Sequence, residues 1–167
     1  MTYPDLFFEN FFFLFIANNS QLAETPMLYD SKSEQALMTE VLDPVFETDP
    51  LAFVKFIFPW GKANTPLEHF SGPRAWQQED LEELGDHLKQ QKQAMAEGKQ
   101  PQMWRKATVS GRGPGKSALV AWKSHWMMST RIGSTTIITA NTEPQLKSRT
   151  FAEVGKWNTL ALNSHWF

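Results

Sequence analysis

Ser110-Gly111-Arg112-Gly113-Pro114-Gly115-Lys116-Ser117 is the stretch on which the reading of this chain turns. It lies between an extended apolar run, Met103 to Val109, and a helix-like run beginning at Ala118. Strand, glycine-rich turn, Lys-Ser, helix is the order of a phosphate-cradling P-loop. Gly111, Gly113 and Gly115 let backbone N–H groups turn inward without Cβ clashes, forming a nest for phosphate oxygens. The helix that follows aims its positive dipole end at the same oxygens. On this reading Lys116 carries an ammonium to the β- and γ-phosphates, and Ser117 offers its hydroxyl to Mg²⁺. Ser110 departs from the strict pattern, which begins with glycine. A plain flexible turn with Lys116 and Arg112 merely solvated is the alternative, but it leaves unexplained why Lys-Ser opens directly into a helix.

The chain has 167 residues, 41% hydrophobic and 20% charged, as expected of a globular domain with an ample core. It contains no cysteine, which excludes disulfides and thiolate metal sites and fits a reducing cytosol. The net charge of −2 conceals a split: residues 1–100 hold 7 Lys/Arg against 16 Asp/Glu, and residues 101–167 hold 9 against 2. A field attractive to polyanions therefore gathers around the glycine turn, unless the acidic helices pack on the basic half and neutralise it.

Leu6 to Ala17 reads LFFENFFFLFIA, far short of the ~20 residues that span a bilayer. No Lys or Arg precedes it, so it is neither a membrane span nor a signal peptide. It reads as a docking segment for the domain or a partner protein, or else as a disordered, aggregation-prone leader. From Ser33 the pattern is helical until Pro44, Asp49-Pro50 caps a helix over Leu51 to Phe58, and Pro59-Trp60-Gly61 ends it. Arg74 to about Gly98 is the longest helical stretch, with Trp76, Leu81, Leu84 and Leu88 inward and Glu79, Asp80, Glu82, Glu83 and Asp86 facing water. After the helix from Ala118, the β-branched run Ser134 to Ala140 reads as a second strand, and Glu143-Pro144 opens another helix. The order predicts a βαβ unit with parallel strands and a right-handed crossover.

Three further features surround the turn. Gly72-Pro73-Arg74-Ala75-Trp76-Gln77 opens the long helix, and the Gln77 amide can donate to and accept from adenine at once, though a capped helix with Gln77 on its wet side explains it equally. Arg112 stands four residues before Lys116, within reach of a γ-phosphate. Thr139 to Gln145 forms a polar turn at the carboxyl end of the second strand, where ligands of open α/β sheets gather. Thr139 and Gln145 either contact or sense a nucleotide there, or belong to a plain strand–helix turn.

Together these residues resemble the ATPase domain of the large terminase subunit, the motor that packages DNA into tailed-bacteriophage heads. The resemblance runs from about Ser33 to Phe167 and is clearest in Phe53 to Gly61, Gly72 to Gln77, Ser110 to Ser117 and Thr139 to Gln145. Serine at the first P-loop position and arginine four before the lysine are both familiar in that family. The resemblance implies ATP with Mg²⁺ as ligands, Gln77 reading adenine, Arg112 as the arginine supplied in cis, and viral or prophage DNA packaging as the setting.

A motor of that family also needs an apolar strand ending in Asp-Glu, the Walker B element. After Lys116 the only acidic residues are Glu143 and Glu153, and neither follows such a run. No downstream acidic cluster suggests the nuclease part. The expectation is therefore an α/β fold: a partial, P-loop NTPase-like parallel sheet preceded by a helical N-terminal portion. Residues 1–32 form the Phe-rich leader, 33–100 the helical portion with the adenine-side glutamine, and 101–167 a P-loop βαβα core that stops before Walker B. Nucleotide binding without unaided hydrolysis is expected of it. One rival is a non-catalytic, prophage-type protein that acts by protein–protein contact, and a second is a complete ATPase of which these residues are a portion. Arg105, Lys106, Arg131, Lys147, Arg149 and Lys156 offer non-specific contact to a DNA backbone.

Overall fold

The computed structural model describes residues 30–167. The chain divides into two units, Met1–Glu34 and Gln35–Phe167. Of the first, the described part is a helical turn in which the Ser33 hydroxyl donates to the Asp30 carbonyl at 2.8 Å. The Phe-rich run Leu6 to Ala17 lies outside the described residues.

Helix α1 spans Ser31–Val41, and proline at position 44 then starts a new helix, α2, Pro44–Thr48. Asp43 caps α2 by accepting from the Val45 amide at 2.8 Å, and Asp49 caps α3, Pro50–Ile57, by accepting from the Ala52 amide at 2.9 Å. Each aspartate satisfies one of the amides that a helix start leaves without a partner, and each following proline brings a preset φ. Helix α3 buries Pro50, Leu51, Phe53, Val54 and Ile57, so it is apolar nearly all round. A helix of that kind belongs inside a bundle. It packs against α4, Ala75–Ala96, and against α5, Lys116–Thr130.

The chain closes through a short turn α6, Glu143–Gln145, a π-helical stretch Leu146–Phe151, helix α7, Ala152–Leu160, and a final 3₁₀ turn Ser164–Trp166. Helix α7 packs along α5. Between α3, α5 and α7 lies an aromatic cluster, with ring centroids 5.7 Å apart for Trp60–Trp122, 5.7 Å for Trp60–Trp157 and 4.9 Å for Trp122–Trp157. Phe58 joins it, 5.1 Å from Trp157. All but the tilted Trp60–Trp157 pair meet edge to face, a packing that contributes about 0.5–1.5 kcal/mol per pair beyond burial.

The expected α/β architecture is overturned. The structure is helical, with no strand or sheet among the described residues. Met103 to Val109 and Ser134 to Ala140 carry the composition of strands but remain unpaired. Their apolar side chains have no sheet to cover them: Met103 is 75% exposed, Val109 97% and Ile137 81%. β-branched composition favours a strand only where a neighbour completes the ladder, and a lone pair of strands is marginal even when formed. The first segment is instead held to α4 by side chains. Lys106 pairs with Glu83 and, at 3.8 Å, with Asp80.

Candidate functional site

The glycine turn stands at the head of α5, where the sequence places it. Gly113 and Gly115 have φ of +86° and +97°, a left-handed geometry that disfavours a side chain. Gly115 is the residue from which α5 starts. No main-chain N–H of Gly111 to Gly115 donates to another backbone group among the described residues. The first amides of α5 add to that row of unoccupied donors.

Lys116 folds back over the turn. Its ammonium donates to the Ser110 carbonyl at 2.9 Å, the Ser110 hydroxyl at 2.8 Å and the Gly111 carbonyl at 2.6 Å. The carbonyl side of the turn is thus satisfied by a cation from its own helix, which leaves the amide side for an anion. Ser110 replaces a glycine at little cost here, since its hydroxyl supplies one of the three acceptors. The side chains of Arg112 and Ser117 are exposed and make no hydrogen bond or ion pair among the described residues.

Two residues of the upstream motif reach the same turn from the start of α4. The Arg74 guanidinium donates to the carbonyls of Gly113 at 3.4 Å and Pro114 at 3.3 Å. Gln77 is 3% exposed. Its Oε1 accepts from the Arg74 amide at 3.0 Å, and its Nε2 donates to the Gly115 carbonyl at 3.0 Å. Both ends of the amide that was expected to read adenine are therefore engaged within the protein.

Thr139 and Gln145 are exposed, and no hydrogen bond ties them to the turn. Gln145 instead lines a shallow depression of about 280 Å³ with Thr142, Pro144, Ser148 and Arg149. Its backbone amide is capped by the Thr142 hydroxyl at 3.4 Å. Glu143 pairs with Lys147 at 2.6 Å, and that partner holds its carboxyl below the usual carboxylate range.

Sequence reasoning missed the ion pairs beneath this region. Asp80, expected to face water, is 4% exposed and bonds to Lys123 of α5 as well as approaching Lys106. The Glu83 carboxylate raises the Lys106 ammonium above its ordinary value. Lys147 is engaged by Glu143 and Lys156 approaches Glu153 at 3.8 Å, while Arg131 donates to the Glu47 carbonyl and lies 4.3 Å over Trp126. Of the six cations expected to meet a DNA backbone, only Arg105 and Arg149 have side chains without a partner among the described residues.

For Mg²⁺ the donor set is sparse. Among the described residues no three His, Cys, Asp or Glu side chains stand together as a metal site. Ser117 would hold the ion only together with phosphate oxygens, as Mg²⁺ that keeps most of its waters allows. Among the same residues no helix is long and apolar enough to cross a membrane. No protein-family model, curated protein or solved structure matches this chain.

Proposed function

We propose that the turn Ser110 to Ser117 binds the phosphate tail of a nucleotide, ATP by the terminase resemblance, with Mg²⁺ carried on the phosphates and the Ser117 hydroxyl. The supporting observation is the division of the turn into two sides. Its carbonyls are occupied by Lys116, Arg74 and Gln77, and its amides are unoccupied at the positive end of a 15-residue helix. Arg112 would add a mobile positive charge at the rim.

Turnover is not part of the proposal. No apolar run ending in Asp-Glu, the element that orients the attacking water in motors of that family, occurs in these 167 residues. The packaging setting rests on the sequence resemblance alone. Titration of Mg²⁺–ATP against wild type and Lys116→Ala tests the binding claim. Saturable binding by wild type that is lost in the variant is expected, and equal heats from the two proteins would remove the claim.

A second reading is a non-catalytic protein that works by contact with other proteins. The exposed apolar side chains of Met103, Val109 and Ile137 on unpaired extended backbone favour it. A pull-down unaffected by Lys116→Ala would support this reading over the first.

A further inference from the structure

We infer that Gln77 braces the glycine turn rather than reading a base, so that the site takes Mg²⁺-polyphosphates without choosing among nucleobases. This rests on the phosphate reading above. Bidentate recognition of adenine needs the amide oxygen and an amide N–H presented together to the ligand. In this chain the oxygen accepts from the Arg74 amide and the nitrogen donates to the Gly115 carbonyl, each at 3.0 Å, in a side chain almost wholly buried.

The contact is built from both sides. A Cβ at position 115 would lie 2.9 Å from Nε2 of Gln77, so a side chain there would push the amide from its present place, and the φ of +97° disfavours one independently. To turn toward a base, Gln77 would abandon the cap of α4 and leave the Gly115 carbonyl without its donor. Arg74 supplies a second strut through the Gly113 and Pro114 carbonyls. Gln77 is thus a positioning residue: it fixes the carbonyl side of the turn and thereby the direction of the amides.

The test is calorimetric titration of the full chain with Mg²⁺–ATP, Mg²⁺–GTP and inorganic tripolyphosphate with Mg²⁺, on wild type and Gln77→Met. Dissociation constants for the three ligands within about threefold of one another are expected for wild type. Gln77→Met should weaken all three by a common factor of roughly tenfold, the effect of losing the bond to the Gly115 carbonyl, while loss of the bond from the Arg74 amide lowers stability. ATP binding more than tenfold tighter than both other ligands overturns the inference while sparing the phosphate reading. Unchanged affinities in a folded Gln77→Met protein overturn the brace. Binding of none of the three by wild type overturns the phosphate reading itself. The wild-type comparison stands even where the variant fails to fold.

Discussion

Nε2 of His125 lies 2.7 Å from the Oδ1 of Asn163, whose amide nitrogen donates in turn to the Ser129 hydroxyl at 3.0 Å. The chain of three side chains is buried and ties the segment after α7 to two successive turns of α5. Because the Asn163 oxygen can only accept, Nε2 of the imidazole carries a proton and donates it there. Phe53, Phe58 and Phe167 surround the ring, with centroids 6.1, 5.8 and 5.2 Å away. Burial among them lowers the His125 pKa to about 4, against an opposing effect of the Asn163 bond.

An acid-sensitive fold follows. In the unfolded chain His125 takes up a proton near pH 6.5, whereas in the fold it does so only near pH 4. Its contribution is therefore complete above pH 6.5 and is lost as the pH falls from 6.5 toward 4. The total is about 3 kcal/mol, and about 2 kcal/mol of it is lost by pH 5. Urea denaturation at pH 7.5 and pH 5 measures the loss. His125→Gln should be less stable at pH 7.5 yet show a flatter dependence over that interval, and an equally steep dependence would assign the acid sensitivity to carboxylates instead.

The three glycines of the turn should respond to alanine in a graded order. Gly111→Ala meets no atom within 4 Å and has no positive φ, so a change within about 0.5 kcal/mol is expected. Gly113→Ala has open space but φ of +86°, which costs about 1–2 kcal/mol. Gly115→Ala adds the clash with Gln77 and the loss of its hydrogen bond, about 1 kcal/mol more. Thermal melts of the three variants rank them, and a destabilising Gly111→Ala beside a silent Gly115→Ala would contradict the geometry.

Asp80 should matter more than its exposed acidic neighbours. Asp80→Ala strips Lys123 and Lys106 of a buried partner and is expected to cost about 1–3 kcal/mol, reduced because both lysines are partly solvated. Glu83→Ala, at an exposed carboxylate, should cost under about 1 kcal/mol. Since Lys106 holds its segment to α4 chiefly through Glu83, with Asp80 at 3.8 Å, trypsin should cleave after Arg105 and Lys106 faster in the double variant Asp80→Ala, Glu83→Ala than in wild type. Unchanged cleavage would show that the anchor lies elsewhere.

Any contact with a DNA backbone should be weak and shallow in its salt dependence. Within the basic half, residues 101–167, Arg105, Arg112 and Arg149 are the cations without a hydrogen-bond or ion-pair partner among the described residues, so the slope of log K against log salt for contact through that half should not exceed about 3 in magnitude. A slope near 6 or above would mean that the lysines now held by Glu83, Glu143 and Glu153 release them on binding. Fluorescence anisotropy across a salt series distinguishes the two.

Helix starts were legible because their signals are local. Asp49 before Pro50 caps the helix that the sequence announces, and Gly115 and Lys116 stand where the turn pattern puts them, whereas Pro44, read as the end of a helix, starts a new one capped by Asp43. The strands at 103–109 and 134–140 were misjudged because a strand is completed by whatever lies beside it, which composition does not reveal. Asp80 was misplaced because the residue that buries it, Lys123, is 43 positions away. The same distance problem hid His125 and Asn163, 38 positions apart. Gln77 was singled out as an adenine reader at the start of the long helix, but a glutamine's chemistry admits a strut as readily as a reader, and only the Gly115 contact shows which bonds it makes.

The packing of Trp60, Trp122 and Trp157 brings three indoles from distant parts of the chain close enough for their electronic transitions to couple. Assembly of α3, α5 and α7 should thus produce an exciton couplet in the circular dichroism of the indole bands. That optical signature would weaken and change shape as soon as any one of the three indoles separates, because only one coupled pair then remains, without a label or a ligand.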